Sequence, residues 1–318
     1  MDMIRRLLDI WRIIKQAASD LVDDRAFRMS AALAYYTVFS MAPMLIVITT
    51  LCDIFYGNQV IEGQIYVHIR GIVGQEAALQ IQDLIKRAIL YLHHSWMARI
   101  GGFAALIFGA TSVFSEIQDS INYIWRLKAK PSAGWWKVLL NRLLSFSMVL
   151  SLAFILLVSL VLDAFMDVLS SQLGKVFPHL AVVLAHALNI GLTFGATFLL
   201  FGTIFKVLPD AKIKWRDISV GAFTTALLFI SGRFGIGYYL HLSHIDTSYG
   251  AAGSTVIVLL WVYYSALILY FGAEFTREYV QYRGRRIYPN DYAVWVKQVE
   301  VETDSAPPKS DISPPPSE

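Results

Sequence analysis

Apolar positions run along this chain in stretches too long and too uniform for a soluble core. Met29–Cys52, Leu143–Leu162, Val176–Phe205 and Thr247–Ala273 contain no Asp, Glu, Lys or Arg. Ile100–Ser115 is uncharged up to Glu116, and Ile218–Ile245 is interrupted only by Arg233. A helix needs roughly 20 apolar residues to cross the hydrocarbon core. The pattern therefore predicts an all-α, polytopic membrane protein with six transmembrane helices.

Two further segments are amphipathic rather than uniformly apolar. Ile4, Leu7, Leu8, Trp11, Ile14, Ala18, Leu21 and Val22 recur at helical spacing with basic residues between them. That describes a helix lying in a membrane interface. Ile81, Leu84, Ile85, Ala88, Ile89 and Leu92 repeat the pattern in the long connection 53–99. The organisation read from these signals is an interfacial helix (1–28), a six-helix domain (29–276) with outer loop 53–99, a basic segment (277–302) and a Pro-rich tail (303–318). Five of the ten prolines fall in that tail, a composition of disorder.

Charge orients the chain. Lys and Arg in short loops mark the cytoplasmic side. Counting the N-terminal segment, the second and fourth connections and the C-terminal region together places 21 of the 27 basic residues on one side. Both termini are thus expected in the cytoplasm. The net charge of +3 reads as membrane flanks meeting anionic headgroups, not as a nucleic-acid surface. A single cysteine, Cys52, excludes an intramolecular disulfide.

The spans carry polar residues with two readings each. In the second, Gly102, Ala105, Gly109, Ser112, Glu116 and Asp119 share a face that begins small and becomes acidic. In the fourth, His186, Asn189, Thr193 and Thr197 form a polar stripe, with Gly191, Gly195 and Gly202 nearly opposite. Such stripes pack helices together or line a polar path. Arg233 lies roughly 22 Å along the fifth span, where an arginine faces protein or water and is a functional candidate by default. Its fork suits phosphate or carboxylate; a structural ion pair or a snorkelling side chain is the alternative. Arg28, Glu116, Asp119, Asn122 and Glu274 fall at one depth near the basic side, as a salt-bridge network or as a gate. His241, His244 and Asp246 do not make the three or four convergent ligands that zinc needs. No metal or cofactor is expected, and no P-loop or nucleophile elbow is present.

Four collinear motifs resemble one family. Asp24-x-x-x-Arg28 with AALAYYTVFSMAP (31–43), FSEIQDSINYIWRLK (114–128), LPDAKIKWRDISVGA (208–222) and SYGAAGSTVIVLLWVYYSALILYFGAEFTREY (248–279) are similar to the YihY/BrkB family of bacterial inner-membrane proteins. The resemblance implies six helices and no settled biochemical activity, with links by name to virulence and to movement of envelope lipids. It also brings an old label, ribonuclease BN. A metal-dependent nuclease needs a carboxylate or histidine cluster, and the residues argue against one. The expected function is transport or flipping of an amphipathic, anionic envelope lipid, not catalysis. A non-catalytic scaffold for an envelope complex is the alternative. Membrane lipids are the expected partners and nucleic acid is not; a homo-oligomer or an envelope-complex partner stays open.

Overall fold

The computed structural model describes residues 2–40, 109, 112–130, 178–243 and 253–297. The apolar stretch Leu143–Leu162, the amphipathic part of loop 53–99 and the tail 303–318 lie outside the described residues. What is described is mostly helical: α1 (Asp2–Asp23), α2 (26–40), α3 (112–124), α4 (Pro178–Val207), α5 (Trp215–Ser243) and α6 (Gly253–Tyr282). Ile190–Val207 and Thr255–Tyr282 are long and apolar enough to cross a membrane.

Local chemistry sets the helix ends. Arg25 takes a left-handed conformation (φ 57°) and breaks the chain between α1 and α2. Pro209 follows α4 and cannot continue it. Asp217 sits in the first turn of α5, where a carboxylate complements the helix dipole. Gly284 (φ 65°) closes α6, with the Arg285 amide donating back to the Val280 carbonyl at 3.0 Å. Glycine supplies that left-handed position without a Cβ clash.

The helices enclose one apolar core. Leu33 of α2, Ile121 and Ile124 of α3, Phe205 of α4, Ile218 and Ala222 of α5, and Tyr270 and Ala273 of α6 are all buried in it. Between α5 and α6 the contact is closer still. A Cβ on Gly221 would overlap the hydroxyl of Thr276, and one on Gly272 would overlap that of Thr225. The two helices thus exchange a Gly-x-x-x-Thr pair reciprocally. Each threonine donates its hydroxyl to its own helix, Thr225 to Gly221 and Thr276 to Gly272, both at 2.7 Å. Close backbone approach at small residues is how helices associate where lipid removes the hydrophobic drive.

The α1 helix docks on α6. Ile13 and Ala17 are buried against Phe275, with Tyr279 beside them. Leu8, Trp11 and Val22 stay exposed on a different face.

Two short antiparallel ribbons, not anticipated in an all-α reading, close one end of the bundle. β1 (Leu127–Ala129) pairs with β4 (Ala293–Trp295), Leu127 opposite Trp295. β2 (Ala211–Lys212) pairs with β3 (Tyr288–Pro289), Ala211 opposite Pro289. The segments that charge assigned to one side therefore meet: the N-terminal helix on α6, and the second and fourth connections on the C-terminal region.

Candidate functional site: an arginine hub at the basic end

Arg277, one turn before the end of α6, is buried and gathers four carboxylates. Its Nη2 lies 2.5 Å from Asp20 and 3.1 Å from Glu274. Its Nη1 lies 3.3 Å from Asp24, and its Nε 3.3 Å from Glu278. Nη1 also donates to the Ile124 carbonyl at the end of α3, at 2.6 Å. One side chain thus joins α1, the α1–α2 turn, α3 and α6. Arg126 adds a second cation, with Nη2 2.8 Å from Asp24. A planar guanidinium with five donors suits this task; an ammonium does not.

The charges do not balance within the hub. Asp20, Asp24, Glu274 and Glu278 face two arginines, and Glu274 is fully buried. Neither Glu274 oxygen has a hydrogen-bond partner, although Arg277 is within ion-pair distance. The Arg277 Nη2 that approaches Glu274 donates to Asp20.

A second buried junction stands beside it. Asn122 donates its amide to Asp210 Oδ2 (3.0 Å), and its carbonyl accepts from the Asp210 amide (2.8 Å). Gln118 donates to Asp210 Oδ1 (3.1 Å), and the Asn290 amide donates to the Asp210 carbonyl (2.9 Å). Asp210 so ties α3 to the α4–α5 connection and to the C-terminal segment. Trp125 adds a third tie, its indole donating to the Ala273 carbonyl of α6 at 3.0 Å.

Two clefts flank these junctions. One, of ≈ 520 Å³, is lined by Asp119, Asn122, Tyr123, Arg126, Lys128 and Asp210 among others. The other, of ≈ 490 Å³, is lined by Trp125, Arg126, Arg277, Arg285, Arg286 and Trp295 among others. Arg126 belongs to both. It holds a left-handed backbone (φ 58°) that costs a non-glycine residue roughly 1 kcal/mol or more.

The structure distributes the sequence-selected residues unevenly. Glu274 enters the Arg277 hub, and Asn122 the Asp210 junction. Asp119 is exposed at a cleft wall, Glu116 is half-buried, and Arg28 is exposed and outside the hub. Thr193 is exposed, while Thr197 gives its hydroxyl to the Thr193 carbonyl at 2.7 Å, within its own helix. The side chains of Arg233, His186 and Asn189 lie outside the described residues, as do those of His241, His244 and Asp246. Gly109 approaches Ser40, an added Cβ standing 2.8 Å from the serine Cβ. A Cβ on Gly191 or Gly195 would meet nothing within 4 Å among the described residues, and the tightest glycine contacts are on α5 and α6. Asp20, Arg126, Arg277 and Asp210 were not singled out as a site. The signal that could have found them is the dense alternation of acids and arginines at the span ends. Among the described residues no three His, Cys, Asp or Glu side chains are grouped as metal ligands.

Residues 17–292 match the family described as Virulence factor BrkB. A protein of Stenotrophomonas maltophilia strain K279a, named a UPF0761 membrane protein, is 27% identical over 267 residues, covering 82% of this chain and 59% of its own length. A Tolumonas auensis protein of the same name is 31% identical over 183 residues, 55% of each chain. An Aliivibrio fischeri strain MJ11 relative is 23% identical over 326 residues, 97% of this chain and 99% of its own. The chain thus spans somewhat over half the length of the Stenotrophomonas relative. No solved structure matches.

Proposed function

The chain belongs to the virulence factor BrkB family, whose relatives carry the name of membrane proteins, and from that footing we propose that it moves an amphipathic, anionic envelope lipid across the bacterial inner membrane. In this reading it spans the membrane six times with both termini in the cytoplasm, and the Arg277 hub is its cytoplasmic gate.

The supporting observation is how that end is held. α1, α3 and α6 are joined there by one buried arginine and its carboxylates. Directional ion pairs can be exchanged for a ligand's charge, whereas a jigsaw core has no second arrangement of comparable energy. Arg28, Glu116, Asp119, Asn122 and Glu274 belong to this gate or border it. Arg233, with His186, Asn189, Thr193 and Thr197, is the candidate path deeper in the bundle, since an intramembrane arginine suits an anionic group. The sequence has no phosphate-binding loop, so an ion gradient, another subunit or the lipid's own gradient supplies the drive.

The test is reconstitution of the full chain in liposomes carrying a fluorescent phosphatidylglycerol. Leaflet exchange is read as the fraction bleached by an external reductant. Faster exchange than in protein-free liposomes, lost in folded Arg233→Ala and altered in Arg277→Lys, supports the reading. Exchange equal to that of protein-free liposomes, with and without a proton gradient, removes it.

A scaffold for an envelope complex is the second reading. The exposed stripe Leu8, Trp11 and Val22 on α1 favours it, being apolar surface left over after α1 has docked. Retention of the same co-purifying proteins by Arg233→Ala, without any lipid exchange, would move it to the front.

A further inference from the structure

Four carboxyls meet in the Arg277 hub, and the two that water cannot reach are neighbours. The side chains of Asp24 and Glu274 are 3% and 0% exposed, whereas those of Asp20 and Glu278 keep 14% and 17%. We propose that the hub binds a proton, held between the carboxyls of Glu274 and Asp24.

The two groups converge from different elements, Asp24 from the α1–α2 turn and Glu274 from α6. Both approach one guanidinium, Asp24 Oδ2 at Nη1 of Arg277 (3.3 Å) and Glu274 Oε2 at Nη2 (3.1 Å). Their carboxyls lie within hydrogen-bonding reach of each other. Ionised carboxylates are acceptors only, so nothing joins the two while both are charged. One proton turns the contact into an O–H···O⁻ hydrogen bond, one of the strong kinds.

The plain alternative is that Arg277 alone neutralises Glu274. Its donors are directed elsewhere: Nη2 to Asp20, Nη1 to the Ile124 carbonyl and Asp24, and Nε to Glu278. Neither Glu274 oxygen receives a hydrogen bond. A buried carboxylate in that state is costly, and taking up a proton relieves the cost. The other charges that act on Glu274, those of Asp24 and Asp20, are negative. From α3 come the Ile124 carbonyl and Arg126, whose Nη2 lies 2.8 Å from Asp24 Oδ1. α5 and α4 face this stretch of α6 through Thr225 and Phe205, which do not ionise here. Asp24, with two guanidiniums beside it, keeps the negative charge; Glu274 carries the proton and donates it to Asp24. Three carboxylates then face two arginines, and two of the three, Asp20 and Glu278, are screened by water. A metal ion would need assembled ligands, and among the described residues no such group is present.

The proton is bound in the resting protein, so the site stands without the transport reading. Its release sets two carboxylates in contact between the α1–α2 turn and α6; that this loosening opens a gate does rest on that reading.

The experiment uses the full chain in a neutral detergent and needs no substrate. Infrared spectra at pH 7 report a protonated carboxylic acid by its carbonyl stretch. Glu274→Gln keeps the shape and an N–H donor toward Asp24 while removing the acid. The wild type is expected to show the acid band and Glu274→Gln to lack it. Thermal unfolding is the second readout. An unfolded glutamate releases its proton above roughly pH 4.3, whereas the folded hub retains it. The folded state then binds more protons, and stability falls as pH rises until the hub gives its proton up. One excess proton lowers the folding constant about tenfold per pH unit. The wild-type midpoint should therefore fall more steeply than that of Glu274→Gln between about pH 6 and pH 8. Should Glu274→Gln not fold, Asp24→Asn puts the amide on the other member of the pair and is expected to remove the same band. An acid band lost in the variant, with the shallower midpoint profile, confirms the site. No acid band in the wild type at pH 7, an equal band in wild type and variant, or parallel midpoint profiles overturns it.

Discussion

Gly221 of α5 and Thr276 of α6 stand so close that the glycine has no room for a side chain. An added methyl would overlap the threonine hydroxyl and lie 3.0 Å from its Cβ. Gly221→Ala must therefore separate the two helices, and overpacking of this kind costs roughly 1–3 kcal/mol. Gly195→Ala is the control, since its Cβ would meet nothing within 4 Å among the described residues. Thermal unfolding in detergent should show a lower midpoint for Gly221→Ala only. Adding Thr276→Ala should restore part of the loss, because the nearest atom is then gone. Equal midpoints for the two glycine variants would contradict the contact.

Removing the hub's cation leaves buried carboxylates facing one another. Arg277→Gln is expected to destabilise the protein by about 3–5 kcal/mol, the usual cost of breaking a buried pair from one side. Glu274→Gln in the same chain should recover a fraction, having removed one buried carboxyl that has no hydrogen-bond partner. Arg277→Lys should recover less than the native arginine provides, because one ammonium cannot reach Asp20, Asp24 and the Ile124 carbonyl together. The yield of monodisperse protein after heating measures the order of the three. An Arg277→Gln variant as heat-resistant as the wild type would show that the hub contributes nothing.

Asn122 both gives to and accepts from Asp210, so its loss strands two buried groups. Asn122→Ala is predicted to cost roughly 1–3 kcal/mol. Asn122→Asp should cost more, placing a second carboxylate against the first while removing the amide donor. Hydrogen exchange offers a local readout, with faster exchange expected at 208–212 and 288–290. Unchanged protection there would exclude the junction as a fastener.

The surface pair Lys212–Asp291 should behave in the opposite way. A hydrogen bond and charge from Lys212 hold the Asp291 carboxyl below its ordinary range. A depressed carboxyl contributes stability above its unfolded pKa, near 3.9, and loses it as pH falls through the folded value. Yet the Asp291 side chain is 91% exposed, so water screens the pair. Asp291→Asn is expected to leave the unfolding midpoint unchanged at pH 7. A clear drop at pH 7 that disappears in acid would show the pair to matter.

Much of the architecture is legible in the sequence because hydropathy and charge are summed over long windows. Thr255–Tyr282 and the amphipathic α1 follow from them directly. So does the meeting of the basic segments at one end. The hub was harder to read. Asp24 and Arg28 are spaced as neighbours on a helix, but Arg25 turns left-handed between them, and Arg28 rotates out to solvent. Asp24 is taken instead by Arg277, 253 residues away, a pairing no local pattern encodes. The ribbons are two or three residues long, too short for an alternating signal to emerge. Of the α4 glycines, Gly202 packs against Trp215 and Ala222 of α5, while the tighter contacts fall between α5 and α6, where Gly221 and Gly272 each meet a threonine and Gly232 meets Tyr264.

The ribbons also carry a consequence for biosynthesis. β3 and β4 leave the ribosome after every helix described, yet they are the partners of both β1 and β2. Until residues 288–295 are made, the strands at 127–129 and 211–212 lack the partners they pair with here. The basic end is therefore sealed last, by the last described stretch of the polypeptide. A nascent chain stalled before residue 288 would hold its described helices but be left unlatched.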